Sequence, residues 1–126
     1  MNAVAALKQY QTVGLGAQVA EASPHRLIQM LMEGGLSKLA KARGAMERGQ
    51  IGLKGELIGH AISIIGGLRE ALDFQRGGDV AVSLDQLYDY MASRLLEANL
   101  KDNIQILDEV TALLRNIKSG WDGIAQ

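Results

Sequence analysis

The sequence predicts an all-α fold: an antiparallel up-and-down four-helix bundle carrying a mobile, partly helical N-terminal arm. Three observations carry that expectation. From Ser23 onward apolar residues recur at spacings of three and four, which makes one face of a helix; alternation at period two, the mark of a half-buried strand, is absent. Breakers then cut the apolar pattern into four stretches. Amphipathic helices joined by short connections pack as antiparallel neighbours. A chain of 126 residues suits one domain of this kind.

The elements follow in order. Residues 1–22 read as an arm, with "AVAALKQY" able to form a short helix and "GLGAQ" breaking it. The bundle is expected over 23–121. Its first helix, about 23–48, opens at "SPHRLIQML", where Ser23 can cap free N–H groups and Pro24 suits the first helical position. Ile28, Leu31, Met32, Gly35, Leu39, Ala42 and Met46 make its inward stripe, and "RGQIG" ends it. The second, about 53–75, carries Ile58, Ala61, Ile62, Ile65, Leu68 and Leu72 on one side and stops at "QRGGD". Asp79 is the expected cap of the third helix, about 79–98, whose stripe is Val80, Leu84, Leu87, Tyr88, Met91 and Leu95, with Asn99 as a left-handed stop. Asp102 and Gln105 have the form of a capping box for the fourth, about 102–119, with Ile106, Val110, Leu113, Ile117 and Trp121 inward. Residues 122–126 read as a flexible tail. The glycines inside helices, Gly34, Gly35, Gly66 and Gly67, each cost about 1 kcal/mol against alanine, so close helix contact is the expected compensation; Gly55 and Gly59 read the same way.

Composition narrows the function. A formal net charge of −1 with both signs mixed along the chain leaves no basic stripe, so nucleic acid is not an expected partner. There is no cysteine, which removes disulfides, thiol catalysis and cysteine-rich zinc sites and agrees with a reducing compartment. The longest apolar stretches are interrupted by Lys, Arg or Glu before about 20 residues, and "MNAVAALKQYQ" lacks a charged start, so neither membrane insertion nor a signal peptide is expected, and the cytoplasm is the expected location.

Candidate chemistry is sparse. His25 and His60 fall on different helices with no supporting ligand set, so neither a metal nor another cofactor is expected. Asp85 and Asp89 share a helix face, but such a pair alone provides neither an acid and base in distinct environments nor a nucleophile. "GLGAQV" lacks the third glycine of a dinucleotide fingerprint and no strand precedes it. The reading is of a protein that is not an enzyme. A rival from another class is a histidine phosphotransfer domain using His60, although "HAISIIGG" puts Ser63 and Ile64 where such domains place Lys and Gly. The apolar faces, by contrast, are broad: Leu57 and Ile64, Leu96, and Ile104, Leu107 and Leu114 widen the stripes of the last three helices. Broad faces suit a groove that accepts a partner's amphipathic helix.

These segments resemble a known family, the flagellar export chaperones called FliS. The resemblance rests on "YQTV" in the arm, "ASPHRLIQMLMEGGL", "ALDFQRGGDVAVSLDQLYDYM", "RLLEAN" and Trp121, in that order and spacing. It implies a cytoplasmic chaperone that binds the disordered C-terminal segment of flagellin, prevents premature polymerisation and assists delivery to the flagellar type III export gate. It also implies that Leu7 and Tyr10, on the arm, serve as a lid over the groove and in docking at the export gate. Stripes and resemblance together nominate Ile62, Ile65, Leu68, Leu87, Tyr88, Met91 and Leu95 for the flagellin groove. A homodimer is left open. Met32 stands where the family often has Tyr, Gly35 where it often has Ala, and His60 replaces a frequent Lys.

Overall fold

The computed structural model describes residues 22–124. Its elements are α1 (Pro24–Glu47), α2 (Ile51–Glu70), α3 (Phe74–Lys101) and α4 (Ile104–Asp122), with no strand among the described residues. Each helix packs on the next, and α4 closes back on α1.

Contacts between side chains far apart in sequence show the antiparallel sense directly. Arg43, late in α1, donates to Asp108, early in α4, at 2.8 Å, whereas Gln29, early in α1, donates to Asp122, at the end of α4, at 2.9 Å. Lys54 at the start of α2 reaches Asn99 near the end of α3, and Arg69 at the end of α2 reaches Asp85 at 2.6 Å. Between these layers lie Leu31, Met32 and Leu39 of α1, Ile58, Ile64 and Ile65 of α2, Met91 and Leu95 of α3, and Leu107, Val110 and Leu114 of α4, all fully buried. Burying a side chain of this size contributes about 1.5–3 kcal/mol, so this layer is the main source of cohesion. α2 is long and apolar enough to cross a membrane by length and composition. Its apolar residues are used here, since Leu57, Ile58, Ile64, Ile65 and Leu68 are buried in the bundle.

The caps explain where the boundaries differ from expectation. Ser23 caps α1 as the sequence indicates, accepting from the Arg26 N–H at 3.1 Å, with Pro24 in the first turn. α2 starts at Ile51 and stops at Glu70, short of residue 75, because Asp73 captures the N–H groups of Gln75 and Arg76, both at 3.1 Å, and starts a new helix. α3 runs unbroken from Asp79, and the cap of the helical turn ahead of that run is Asp73. The turn it opens is broken at Gly78, whose φ of 51° and ψ of −126° suit a residue without a side chain. α3 continues past Asn99 to Lys101, and the left-handed stop is Asp102 at φ 49°. The capping box from Asp102 does not form, since that carboxylate pairs with Lys54; Asn103 caps α4 by accepting from the Ile106 N–H at 3.0 Å. α4 extends beyond residue 119 to Asp122.

Close helix contact accounts for one glycine in particular. A Cβ on Gly35 would lie 3.0 Å from Leu114 Cδ2 and 3.4 Å from Ile64 Cγ2, so the absent side chain lets α1 approach α4 and α2. Among the described residues, Gly59 and Gly66 have no atom within 4 Å of where a Cβ would stand, and Gly55 has only Asn99 Oδ1, at 3.9 Å. Packing among the described residues does not explain those three.

Candidate functional site

The seam between α3 and α4 is closed along only part of its length. Near the end of α3, Arg94 Nε donates to Glu109 Oε1 at 2.8 Å and the Tyr90 hydroxyl donates to Glu109 Oε2 at 2.7 Å. These two donors hold the Glu109 carboxyl below the usual carboxylate range, with the Arg94 hydrogen bond the larger cause. Toward the start of α3 no such clasp is present among the described residues. There the seam opens into a cavity of about 720 Å³.

All four helices supply its walls. Ile28 and Met32 come from α1, Leu68 from the end of α2, Val80, Ala81, Leu84 and Tyr88 from α3, and Ile117, Trp121 and the following Ile124 from the α4 end; Leu72 sits in the α2–α3 connection. Asp73, Arg76 and Asn116 add polar groups, and the break at Gly78 leaves Arg76 and Gly77 in the lining just ahead of it. A second, shallower depression of about 310 Å³, lined by Asp79, Val80, Ser83, Leu84 and Leu87, shares Val80 and Leu84 with the first. The two make one apolar track beside the first half of α3. Val80 in it is 68% exposed, so the track is accessible.

One wall is fixed by the end of α4. The Trp121 indole N–H donates to the His25 carbonyl at 3.0 Å, and the ring stacks on the His25 imidazole with centroids 4.8 Å apart. Gln29 and Lys118 both donate to Asp122, at 2.9 and 2.7 Å. Together they pin the last turn of α4 to the first turns of α1. The far wall contains Tyr88, which is 2% exposed, and burial pushes its phenol up to about 12. Its ring is core, and the side chain also lines the cavity.

The nominated groove residues divide. Ile65, Met91 and Leu95 are fully buried between the helices and support the cavity from behind. Leu68 and Tyr88 are buried and also line it, Leu87 lines the adjoining depression, and Ile62 is half-buried and lines neither. Leu7 and Tyr10 lie outside the described residues. The residues from α4 and its end, Ile117, Trp121 and Ile124, were not nominated; their spacing of four and then three continues the α4 stripe and is the signal that could have found them.

The other candidates carry little chemistry. His60 is half-buried with a buried Nδ1 that has no partner, which gives the phosphotransfer alternative no support. Asp85 and Asp89 both accept from Arg69, and Arg69 holds the Asp85 carboxyl below its usual range. Among the described residues no group of three or more potential ligands could hold a metal ion.

Comparison with known proteins decides the family. The model of the family described as "Flagellar protein FliS" matches residues 6–126. The chain belongs to the FliS family. It is 64% identical over 125 residues to the flagellar secretion chaperone FliSB of Pseudomonas aeruginosa, covering 99% of both chains. It is 45% identical over 118 residues to the FliS of Vibrio cholerae, covering 94% of this chain and 87% of the relative. The FliS of Salmonella typhimurium is 44% identical over 126 residues, covering 99% of this chain and 93% of that one. FliS membership gives the chain a chaperone role in flagellar export, as a soluble protein and not as an enzyme.

Proposed function

We propose that this FliS binds the disordered C-terminal segment of flagellin along the open α3–α4 track, in the cytoplasm, and so keeps flagellin from polymerising before export. The observation that carries the reading is the unclosed seam itself, in which Leu72, Val80, Leu84, Ile117 and Trp121 present apolar surface to a cavity. An amphipathic client helix laid into the seam buries its apolar face against theirs. At about 25 cal/mol per Å² this burial offsets the ordering of a disordered segment. No nucleotide is needed for that exchange. A client held in this way cannot use the same face to pack against other flagellin subunits.

The groove proper consists of Leu68, Leu87 and Tyr88 from the nominated set together with the α4 residues, while Ile65, Met91 and Leu95 form the core on which it rests. Ala22 packs against the core, and His25 stacks on Trp121 in the cavity wall. On this reading the N-terminal arm covers the track, with Leu7 and Tyr10 acting as its lid and in docking at the flagellar type III export gate. Client and arm then compete for one surface, and delivery to the gate couples release to handover.

Calorimetric titration with the C-terminal segment of flagellin from the same organism, with helicity followed by circular dichroism, tests the reading. Tight binding with a negative heat-capacity change and gained helix is expected. Absence of binding by the folded protein rejects it. Sedimentation at the same concentrations separates client binding from a homodimer formed through the same face.

A further inference from the structure

The apolar track runs straight into the polar clasp that closes the rest of the α3–α4 seam. On α3, Ser83, Leu87, Tyr90 and Arg94 follow at spacings of four, three and four, so they share one face; the first two line the shallower depression and the last two form the clasp. On α4, Glu109, Leu113, Asn116 and Gly120 repeat that spacing in the antiparallel sense, with Asn116 and Gly120 in the cavity lining. Side-chain size changes along both lines. Ser83 and Gly120 stand at the open end. At the closed end the Tyr90 hydroxyl and Arg94 Nε donate to the two Glu109 carboxylate oxygens at 2.7 and 2.8 Å, and the Arg94 guanidinium sits over the Tyr90 ring, 6.0 Å from its centroid. Arg94 also donates to Glu97, which accepts from Lys101, so polar contacts continue toward the end of α3. In these same turns Met91, Leu95 and Val110 are fully buried and offer no apolar surface to a partner.

We propose that the Tyr90–Glu109–Arg94 clasp is a specificity-determining stop of the client groove, limiting the apolar face of a seated helix to about three turns. The inference rests on the open seam being the client site. From Gly77 to Tyr88 the cavity lining covers about 17 Å of α3, which matches roughly eleven residues of a client helix laid alongside. Beyond that length the client meets polar side chains that already have partners. Open to water, such bonds contribute little to stability. Covered by an apolar side chain they lose their hydration with nothing in return, so the covering is unfavourable. A client residue that reaches the clasp must therefore be polar or turn away. The stop acts whichever way the client helix runs, because it bars the seam and does not read a helix end. It favours short amphipathic helices over long apolar ones, which an unbarred seam would hold more tightly as they lengthen.

The test removes the clasp from either side in the full-length protein, by Glu109→Ala and by Tyr90→Phe combined with Arg94→Met; if one variant folds poorly, the other carries the comparison. The probes are amphipathic helices of Leu, Lys and Glu with leucine faces of about three, four and five turns. Trp121, the single tryptophan, lines the cavity and reports occupancy by its fluorescence. Displacement of the probes by the flagellin C-terminal segment shows that probe and client share the seam. With wild type, affinity is expected to change by less than about twofold beyond three turns, whereas in both variants the fourth turn should tighten binding roughly three- to tenfold, as one further buried leucine would. Wild-type affinity that keeps rising with length as steeply as in the variants overturns the stop. So does a plateau at three turns in the variants, or failure of every probe to bind a protein that takes the flagellin segment. Calorimetric binding of the flagellin segment without probe displacement or a change in Trp121 emission rejects the seam as the client site, and the selective role of the clasp with it.

Discussion

The Lys54 ammonium, on a residue 4% exposed, donates to the Asn99 carbonyl at 3.0 Å and pairs with the Asp102 carboxylate, joining the first turn of α2 to the last turn of α3. A cation here meets carbonyl groups that have no intrahelical partner, at the end of a helix where positive charge is favourable. Lys54→Ala should lower unfolding free energy by about 2 kcal/mol, since it leaves a buried acceptor unpaired and a gap behind it. Lys54→Met keeps most of the packing and should lose about 1 kcal/mol. Urea unfolding of both variants measures this, and equal stability of wild type and Lys54→Ala would contradict the assignment.

The glycines predict opposite signs. Gly35→Ala places a methyl 3.0 Å from Leu114 and 3.4 Å from Ile64, both fully buried and unable to move away easily, so stability should fall despite the better helix former. Gly59→Ala and Gly66→Ala meet nothing and should each gain roughly 0.5–1 kcal/mol. Thermal unfolding of the three variants shows whether close approach is confined to Gly35.

Alkali should unfold the protein partly through Tyr88. Burial raises its folded phenol from 10 to about 12, so the folded state keeps a proton that the unfolded chain releases. That contribution is complete below about pH 10 and is lost as pH rises through 12. Tyr88→Phe removes the titration and should flatten the fall in stability over this window. At the acid end the sign is reversed: carboxyls held low by arginine, Asp85 beside Arg69 and Glu109 beside Arg94, contribute above the ordinary carboxylate range and lose that contribution as pH falls through their lowered values.

Removal of residues 1–16 should leave the four helices folded, because α1 to α4 supply the fully buried layer described above. If the arm covers the track, amide exchange should quicken around Val80–Tyr88 and in the last turns of α4. Unchanged exchange at both places would exclude the lid.

The bundle was legible because its periodicity is strong and its breaks carry turn residues, as at Ser23–Pro24 and around Gly49. Boundaries were less so where several residues could cap. The sequence pointed to Asp79 and Asp102, whereas Asp73 and Asn103 make the capping bonds, and tertiary contacts such as Lys54 with Asp102 take one carboxylate out of competition. The groove was legible only in part for a related reason. A helical stripe shows which residues turn inward but not where two helices part company. Met91 and Leu87 belong to one stripe, yet Met91 is fully buried while Leu87 borders an open depression, since the α3–α4 clasp at Glu109 ends between the closed and open halves. Trp121 shows the converse case: it reads as core, and its indole serves instead as an anchored wall.

The most direct measurement is hydrogen exchange of the full-length protein with and without the flagellin C-terminal segment. Protection concentrated at Val80–Tyr88 and Asn116–Ile124 is the expected footprint of a client helix in the open α3–α4 seam. Tight binding that protects only the outer face of α1 and α2, leaving that seam unchanged, would contradict the account.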